Sequence, residues 1–302
     1  MQVSRRDFLK LCGVSAAVLG IEAADLARLE EVLANPNAPT VIWLQGAACT
    51  GCSVSFLNRI SSSAPLTAAD ALINSINLQY HPNLMSLAGE SAVAAAEDAY
   101  NRGGYVLVVE GGVPTKFGGN TCWPWSYGGQ DITFKQAVSD MASRALAVLC
   151  VGTCASWGGV AAAPPNPTTV MGVKAATGVN TINIPGCPTH PDWVIWAIVQ
   201  LLTGSAVRLD SNGRPTALFG RTVHSQCPRR DDDEHSGGVP QDGDCLREQG
   251  CQGPETKGDC PIRKWNGGTA WCVENNAICI GCTEPTFAAN GAFYQRRREV
   301  DD

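Results

Sequence analysis

Three apolar runs in this chain each end in glycine or proline with a cysteine close behind. Residues 41–44, Val-Ile-Trp-Leu, lead through Gly46 to Cys49 and Cys52. Residues 145–151 lead through Gly152 and Thr153 to Cys154, and residues 181–184 lead through Pro185 and Gly186 to Cys187. Short apolar runs closed by turn residues read as buried strands. An alternating run at 76–80 and a buried one at 106–109 read as two more strands, the latter ending in Glu110-Gly111-Gly112-Val113-Pro114. Helical patterns separate them at 53–60, 89–100, 133–144 and 192–202. Strands alternating with helices imply a parallel sheet covered on both faces. The expected fold over 35–205 is α/β and flavodoxin-like.

That topology gives the cysteines a meaning. The carboxyl ends of parallel strands share one edge, where open α/β sheets bind ligands. Cys49, Cys52, Cys154 and Cys187 are therefore expected to converge there. Four soft thiolates in a tetrahedral set suit zinc or an iron–sulfur cluster. A Cys-x-x-Cys pair after a strand is also a thioredoxin-type redox signature, and a single cysteine is commonly a small buried hydrophobe. The shared position after strands favours ligation. Cys150, inside an apolar run, and Cys122, in a loop with Trp123 and Trp125, read as packing residues.

From Val207 onward the alternation stops, and 206–302 reads as a small, irregular second domain rich in Gly, Pro and charge. Such a segment buries little apolar surface and needs staples. It holds seven of the fourteen cysteines. His224 and Cys227 stand at i and i+3, close enough to share a metal on a turn, and Cys245 and Cys251 complete a four-ligand set. Cys260, Cys272, Cys279 and Cys282 form another set. Four thiolates there favour a 4Fe–4S cubane over a three-iron cluster, since each iron then has a protein ligand. His81, His190 and His235 lack such company and read as ordinary hydrogen-bonded residues.

The first 34 residues read as a targeting segment. Ser4-Arg5-Arg6-Asp7-Phe8-Leu9-Lys10 is a twin-arginine sequence, and the uncharged run behind it, 11–21, is too short to span a bilayer. Cleavage is expected near Ala34, and the mature chain is expected in the periplasm. Twin-arginine export moves folded proteins, so the thiols can take up metal in the cytoplasm; that weakens the disulfide framework an exported chain otherwise suggests. A net charge of −6, with no basic run before Arg296-Arg297-Arg298, argues against a nucleic-acid partner.

These motifs resemble the small subunit of nickel–iron hydrogenases. The resemblance runs through CTGCS at 49–53, EGGVP at 110–114, GTCASWGGV at 152–160 and PGCPTHPDW at 185–193. It continues through HSQCP at 224–228, the Cys245 and Cys251 pair, KGDCPIRKW at 257–265 and CIGCTEPTF at 279–287. It implies an electron-transfer chain of three clusters. By matching position, Cys49, Cys52, Cys154 and Cys187 hold the proximal cluster, His224, Cys227, Cys245 and Cys251 the distal one, and Cys260, Cys279 and Cys282 the medial one. It also implies an obligate heterodimer with a large subunit that carries the hydrogen-splitting site, and a cytochrome or other redox carrier near the distal cluster. The quinone-side subunit of respiratory complex I is a more distant relative in fold and lacks the second-domain ligands.

Departures from the family pattern carry expectations of their own. Many members have a proline near 272; Cys272 here supplies a fourth thiolate, so all three clusters are expected to be 4Fe–4S, with a three-iron medial cluster only if Cys272 is not a ligand. This resembles the nickel–iron–selenium branch. Oxygen-tolerant members carry two extra cysteines where Gly51 and Gly159 stand, so an ordinary proximal cubane is expected. Some members carry a transmembrane helix after the second domain; the polar residues 294–302 suggest no anchor. The charged insertion Arg229 to Glu234 reads as a solvated loop, with an acidic dock for a basic cytochrome as the competing reading. Ala47, Ala48 and Thr50 are expected at or near the large-subunit interface. The other functional classes weighed are a stand-alone multi-cluster electron carrier and a zinc- or disulfide-stapled structural protein.

Overall fold

The computed structural model describes residues 40–61, 67–69, 77–230 and 243–288. The targeting segment, His235, most of the charged insertion and the C-terminal tail lie outside the described residues. Five parallel strands form the central sheet: β1 (Val41–Gln45), β2 (Leu78–Tyr80), β3 (Val106–Glu110), β4 (Ala147–Val151) and β5 (Ile182–Ile184). Their spatial order is β2-β1-β3-β4-β5, the flavodoxin-like order.

The central strands are apolar throughout because both faces are covered. Val41, Trp43, Val106, Val108, Leu149 and Val151 face one core, which is completed by helix α5 (Pro191–Leu202) and by Phe56 of helix α1 (Gly51–Leu57). Ile42, Leu44, Leu107, Val109, Val148 and Cys150 face the other, filled by α2 (Glu90–Arg102) and α3 (Phe134–Ala142). Cys150 is fully buried there and Cys122 packs against the same core, so both are packing residues as read from sequence.

α5 is buried at every position except Asp192 and Leu201. A helix apolar all round must be covered on both sides; here the sheet lies against one side and the second half of the chain against the other. The Trp193 indole donates to Asp259 at 2.7 Å. The buried guanidinium of Arg214 ties the same junction together, pairing with Asp210 at 2.9 Å and Glu284 at 2.8 Å and donating to the Thr283 carbonyl.

Regular alternation ends with α5. Among the described residues beyond it, helices are single turns such as Thr216–Phe219, His224–Gln226 and Cys260–Arg263. The small core of this part, Val223, Leu246, Trp271, Val273 and Cys279, has Cys227, Cys251 and Cys260 packed against it. Sulfur thus takes much of the place that aliphatic side chains hold elsewhere. Among the described residues no helix is long and apolar enough to cross a membrane.

Several element ends differ from the sequence expectation by one to three residues. The first helix starts at Gly51, not at 53, because a carboxylate from β3 supplies the acceptors its first turn lacks. A short helix α4 (Thr153–Trp157) follows β4; one turn and a half is too short to show a helical period.

Candidate metal centres

Register places Gln45, Glu110, Val151 and Ile184 side by side at the ends of their strands. The first thiol group grows from this line. Cys49 lies in the loop after β1, Cys52 in the first turn of α1, Cys154 in the first turn of α4, and Cys187 in the turn after β5. Gly152 fits here because the Cys52 sulfur passes 2.5 Å from where its Cβ would stand.

Thr50 precedes α1 in a left-handed conformation, φ 64°, and makes no side-chain cap. Glu110 does that work from the neighbouring strand. Its buried carboxylate accepts from the N–H groups of Cys52 at 3.1 Å and Ser53 at 3.2 Å, from the Trp43 indole at 3.0 Å, from Gln45 at 2.9 Å, and from the Ser53 hydroxyl. A carboxylate at a helix N-terminus satisfies orphan N–H groups and complements the helix dipole. The Ser53 hydroxyl also contacts His81 Nε2 at 3.1 Å. Burial lowers the His81 pKa to about 4, against the opposing pull of Glu110. His81 is thus a neutral, hydrogen-bonded core residue. His190 likewise caps α5, accepting from the Asp192 N–H at Nδ1 and donating from Nε2 to the Lys264 carbonyl at 2.6 Å.

The thiols act on one another electrostatically. Burial pushes Cys52 well above the ordinary thiol value; the Glu110 carboxylate and the sulfurs of Cys154 and Cys187 push the same way, and the Thr189 N–H pulls back. Cys154 is raised by burial and then by Cys49, with the N–H groups of Ala161 and Val160 opposing. Cys187 is pushed up to about 11 by burial, Cys154 and Cys49. The four sulfurs are thus near enough to influence one another at the same sheet edge. Cys49 and Cys187 are exposed, beside exposed Ala48 and half-buried Ala47 and Thr50.

The second part holds two further groups. Burial pushes Cys260 well up, aided by Cys282, Asp259, Cys279 and Cys272. Burial takes Cys279 to about 11, with Cys251 and Cys272 adding to it and the Thr256 hydroxyl opposing. Cys282, half-buried, is raised by burial and then by Cys279, Cys272 and Cys187. Cys272 acts on Cys260, Cys279 and Cys282, and its own thiol is raised by burial and then by Cys251. In the remaining group, burial and then Cys245 and Cys251 raise Cys227, and burial and Cys245 raise Cys251. The turn His224–Gln226 brings His224 and Cys227 together, with the Cys227 N–H bonded to the His224 carbonyl at 3.1 Å. Gly253 separates His224 from the Cys251 sulfur; a Cβ there would lie 3.6 Å from His224 Cβ and 3.4 Å from Cys251 Sγ.

The groups are joined end to end. Thr153 spans the gap between the first and the middle group: its hydroxyl accepts from the Gly186 N–H at 2.9 Å and donates to the Cys282 carbonyl. On the other side the Cys279 N–H donates to Cys251 Sγ at 3.4 Å.

No disulfide joins any of the thirteen described cysteines, and among the described residues no three His, Cys, Asp or Glu side chains converge closely enough to hold a single metal ion. Soft thiolate donors suit both zinc and iron–sulfur clusters. Sequence reasoning missed the capping role of Glu110; the signal for it was a carboxylate closing an otherwise apolar strand, a position where charge is rare unless paired.

Two family models match the chain. Residues 49–201 match the NADH ubiquinone oxidoreductase 20 Kd subunit, and residues 219–295 match the C-terminal region of the NiFe/NiFeSe hydrogenase small subunit. The periplasmic [NiFe] hydrogenase small subunit of Solidesulfovibrio fructosivorans is 42% identical, over 94% of this chain and 90% of that protein. The periplasmic [NiFeSe] hydrogenase small subunit of Desulfomicrobium baculatum is 37% identical, over 95% of this chain and 96% of that protein. A chain of the recombinant [NiFeSe] hydrogenase from Desulfovibrio vulgaris Hildenborough superposes with a TM-score of 0.79 at 36% identity, covering 88% of this chain and 99% of that one.

Replacing Glu110 tests its role as a remote cap. Glu110→Ala leaves the N–H groups of Cys52 and Ser53 and the Trp43 indole without an acceptor, at about 1–3 kcal/mol for each buried group. Hydrogen exchange at Cys52 and Ser53 should quicken at least ~10-fold, with Glu110→Gln intermediate. Unchanged exchange in the alanine variant would rule the cap out.

Proposed function

The chain belongs to the family of NiFe/NiFeSe hydrogenase small subunits, and on that footing we propose that it is the electron-transfer half of a periplasmic hydrogenase. It conducts electrons between a large subunit, where H2 = 2H⁺ + 2e⁻ is catalysed, and an external redox carrier such as a cytochrome. The observation that carries this reading is the linkage of the three thiol groups through Thr153 and the Cys282 carbonyl and through the Cys279 N–H and the Cys251 sulfur.

Each group has an assigned ligand set. Cys49, Cys52, Cys154 and Cys187 hold the proximal cluster, nearest the large subunit. Cys260, Cys272, Cys279 and Cys282 hold the medial one, and His224, Cys227, Cys245 and Cys251 the distal one, nearest the carrier. When bound, the clusters supply one-electron chemistry. The chain's own residues fix their order and exclude water from the interior sulfurs. They also aim the Cys279 N–H at the Cys251 sulfur. The stand-alone carrier reading is not favoured, since the relatives are named as small subunits.

The medial site distinguishes cluster types. With Cys272 among its sulfurs it is a four-thiolate site, and the chain leans toward the nickel–iron–selenium pattern, although its relatives come from both branches. The anaerobically purified heterodimer should contain nickel, about twelve small-subunit irons from three four-iron clusters, and hydrogen-driven cytochrome reduction. Cys272→Ser should lose about one iron and acquire the EPR signal of an oxidised three-iron cluster. That same signal in the native protein would contradict the medial assignment.

Gly51 and Gly159 bear on oxygen. A Cβ at Gly51 would stand 3.0 Å from Cys49 Sγ, and one at Gly159 3.0 Å from Cys154 Sγ, so cysteines there would crowd the proximal set with two more sulfurs. Glycine leaves an ordinary cubane, and hydrogen oxidation should cease in air. Sustained turnover in air, with the large subunit's own site shown to be oxygen-sensitive, would overturn this.

Export follows the twin-arginine route, supported by the n-region at 4–10 and by relatives named as periplasmic. N-terminal sequencing of the exported protein should begin close to residue 35; recovery of Met1 would refute cleavage.

A further inference from the structure

A cavity of about 730 Å³ opens between α1 and the loop 259–268, against the walls of the proximal site: Gly51 and Pro188, neighbours of Cys52 and Cys187, line it. At its base lies Arg59, 2% exposed. Arg59 Nε donates to Asp192 Oδ1 at 2.9 Å. Its two terminal nitrogens, Nη1 and Nη2, are buried and have no hydrogen-bond partner among the described residues.

The nearby carboxylates leave Nη1 and Nη2 without an acceptor. Asp259 accepts from Arg263 at 2.7 and 3.0 Å and from the Trp193 indole at 2.7 Å. Asp192 serves Arg59 through Nε and also lies 3.9 Å from Arg263 Nη1. Lys264, also on the wall, pairs with Glu274 at 2.7 Å. A buried cation with unsatisfied donors is unfavourable, and a guanidinium presents its donors as a planar fork that matches a carboxylate. The rim is apolar and exposed: Val54 at 49%, Ile60 at 66% and Ile262 at 66%. A small anion would leave that rim in water. An arginine within a pocket ringed by apolar contacts is instead the form of a protein-interface anchor.

We propose that this cavity receives an aspartate or glutamate side chain of the large subunit, which pairs with Arg59 Nη1 and Nη2 while Val54, Ile60 and Ile262 are covered by the surrounding contact. The inference rests on the reading that this chain pairs with a large subunit, and it extends the contact from the open face of the proximal site along α1. The anchor and the proximal cysteines share one wall at Gly51, so docking here would set the position of the catalytic subunit relative to the first cluster.

The test uses the native heterodimer beside complexes carrying Arg59→Met or Arg59→Lys. Removing one member of a buried charged pair acts mainly on dissociation. The methionine variant should dissociate at least ~30-fold faster than the native complex, with iron content and cluster EPR spectra unchanged, and the lysine variant should fall between. Dissociation of the methionine variant at the native rate overturns the proposal. Should that variant fail to fold, the structure of the native heterodimer decides. A partner carboxylate oxygen within about 3.2 Å of Nη1 or Nη2 supports it. An inorganic ion, water alone or a segment of this chain in that place overturns it. Absence of any heterodimer overturns both this inference and the functional reading, whereas a native heterodimer insensitive to Arg59 overturns this inference alone.

Discussion

A buried sulfur holds a negative charge only if something positive stands beside it. Burial raises the thiols of Cys52, Cys154, Cys187, Cys260, Cys279 and Cys282, and their neighbours raise them further. Left alone, these thiols stay protonated; bound metal reverses the preference and deprotonates them outright. The small apolar core beyond α5 has three cysteines packed against it, so the state of its sulfurs bears directly on the packing of this part.

The same economy arranges the groups in line. Backbone bonds tie neighbouring groups: the Gly186 N–H, next to Cys187, reaches the Thr153 hydroxyl beside Cys154 at 2.9 Å. The Cys279 segment gives its sulfur to the middle group and its N–H to Cys251 of the last, at 3.4 Å. Thr153, one residue before Cys154, bonds to the Cys282 carbonyl. Displacing any of these turns would move two groups at once, so their order is built into the chain path and does not depend on flexible side chains.

Much of this is legible in the sequence because strand ends are. An apolar run followed by Gly or Pro fixes where a strand stops, and in a parallel sheet every such stop falls on one edge. Cys49, Cys52, Cys154 and Cys187 can therefore be grouped from the order of residues alone. In the second part, ligand spacing carries the same information: His224 with Cys227, and Cys279 with Cys282. Glu110, Arg59 and Thr153 are not legible in this way. Their roles come from partners far along the chain, 58 residues for the Glu110–Cys52 bond and 133 for the Arg59–Asp192 bond, and no local pattern records a contact of that range. The bland readings of His81 and His190 hold for the opposite reason: each is satisfied by ordinary hydrogen bonds.

Glu110 shows how geometry and electrostatics are traded. A carboxylate next to four sulfurs is unfavourable on charge alone, and it adds to the raised pKa of Cys52. The loop that aims Cys49 leaves Thr50 in a left-handed conformation without a side-chain cap, and the orphan N–H groups of Cys52 and Ser53 then need an acceptor from elsewhere. A neutral acceptor would serve the N–H groups but would do less against the helix dipole. The carboxylate also takes the Trp43 indole and Gln45, which fixes the ends of β1 and β3 against α1.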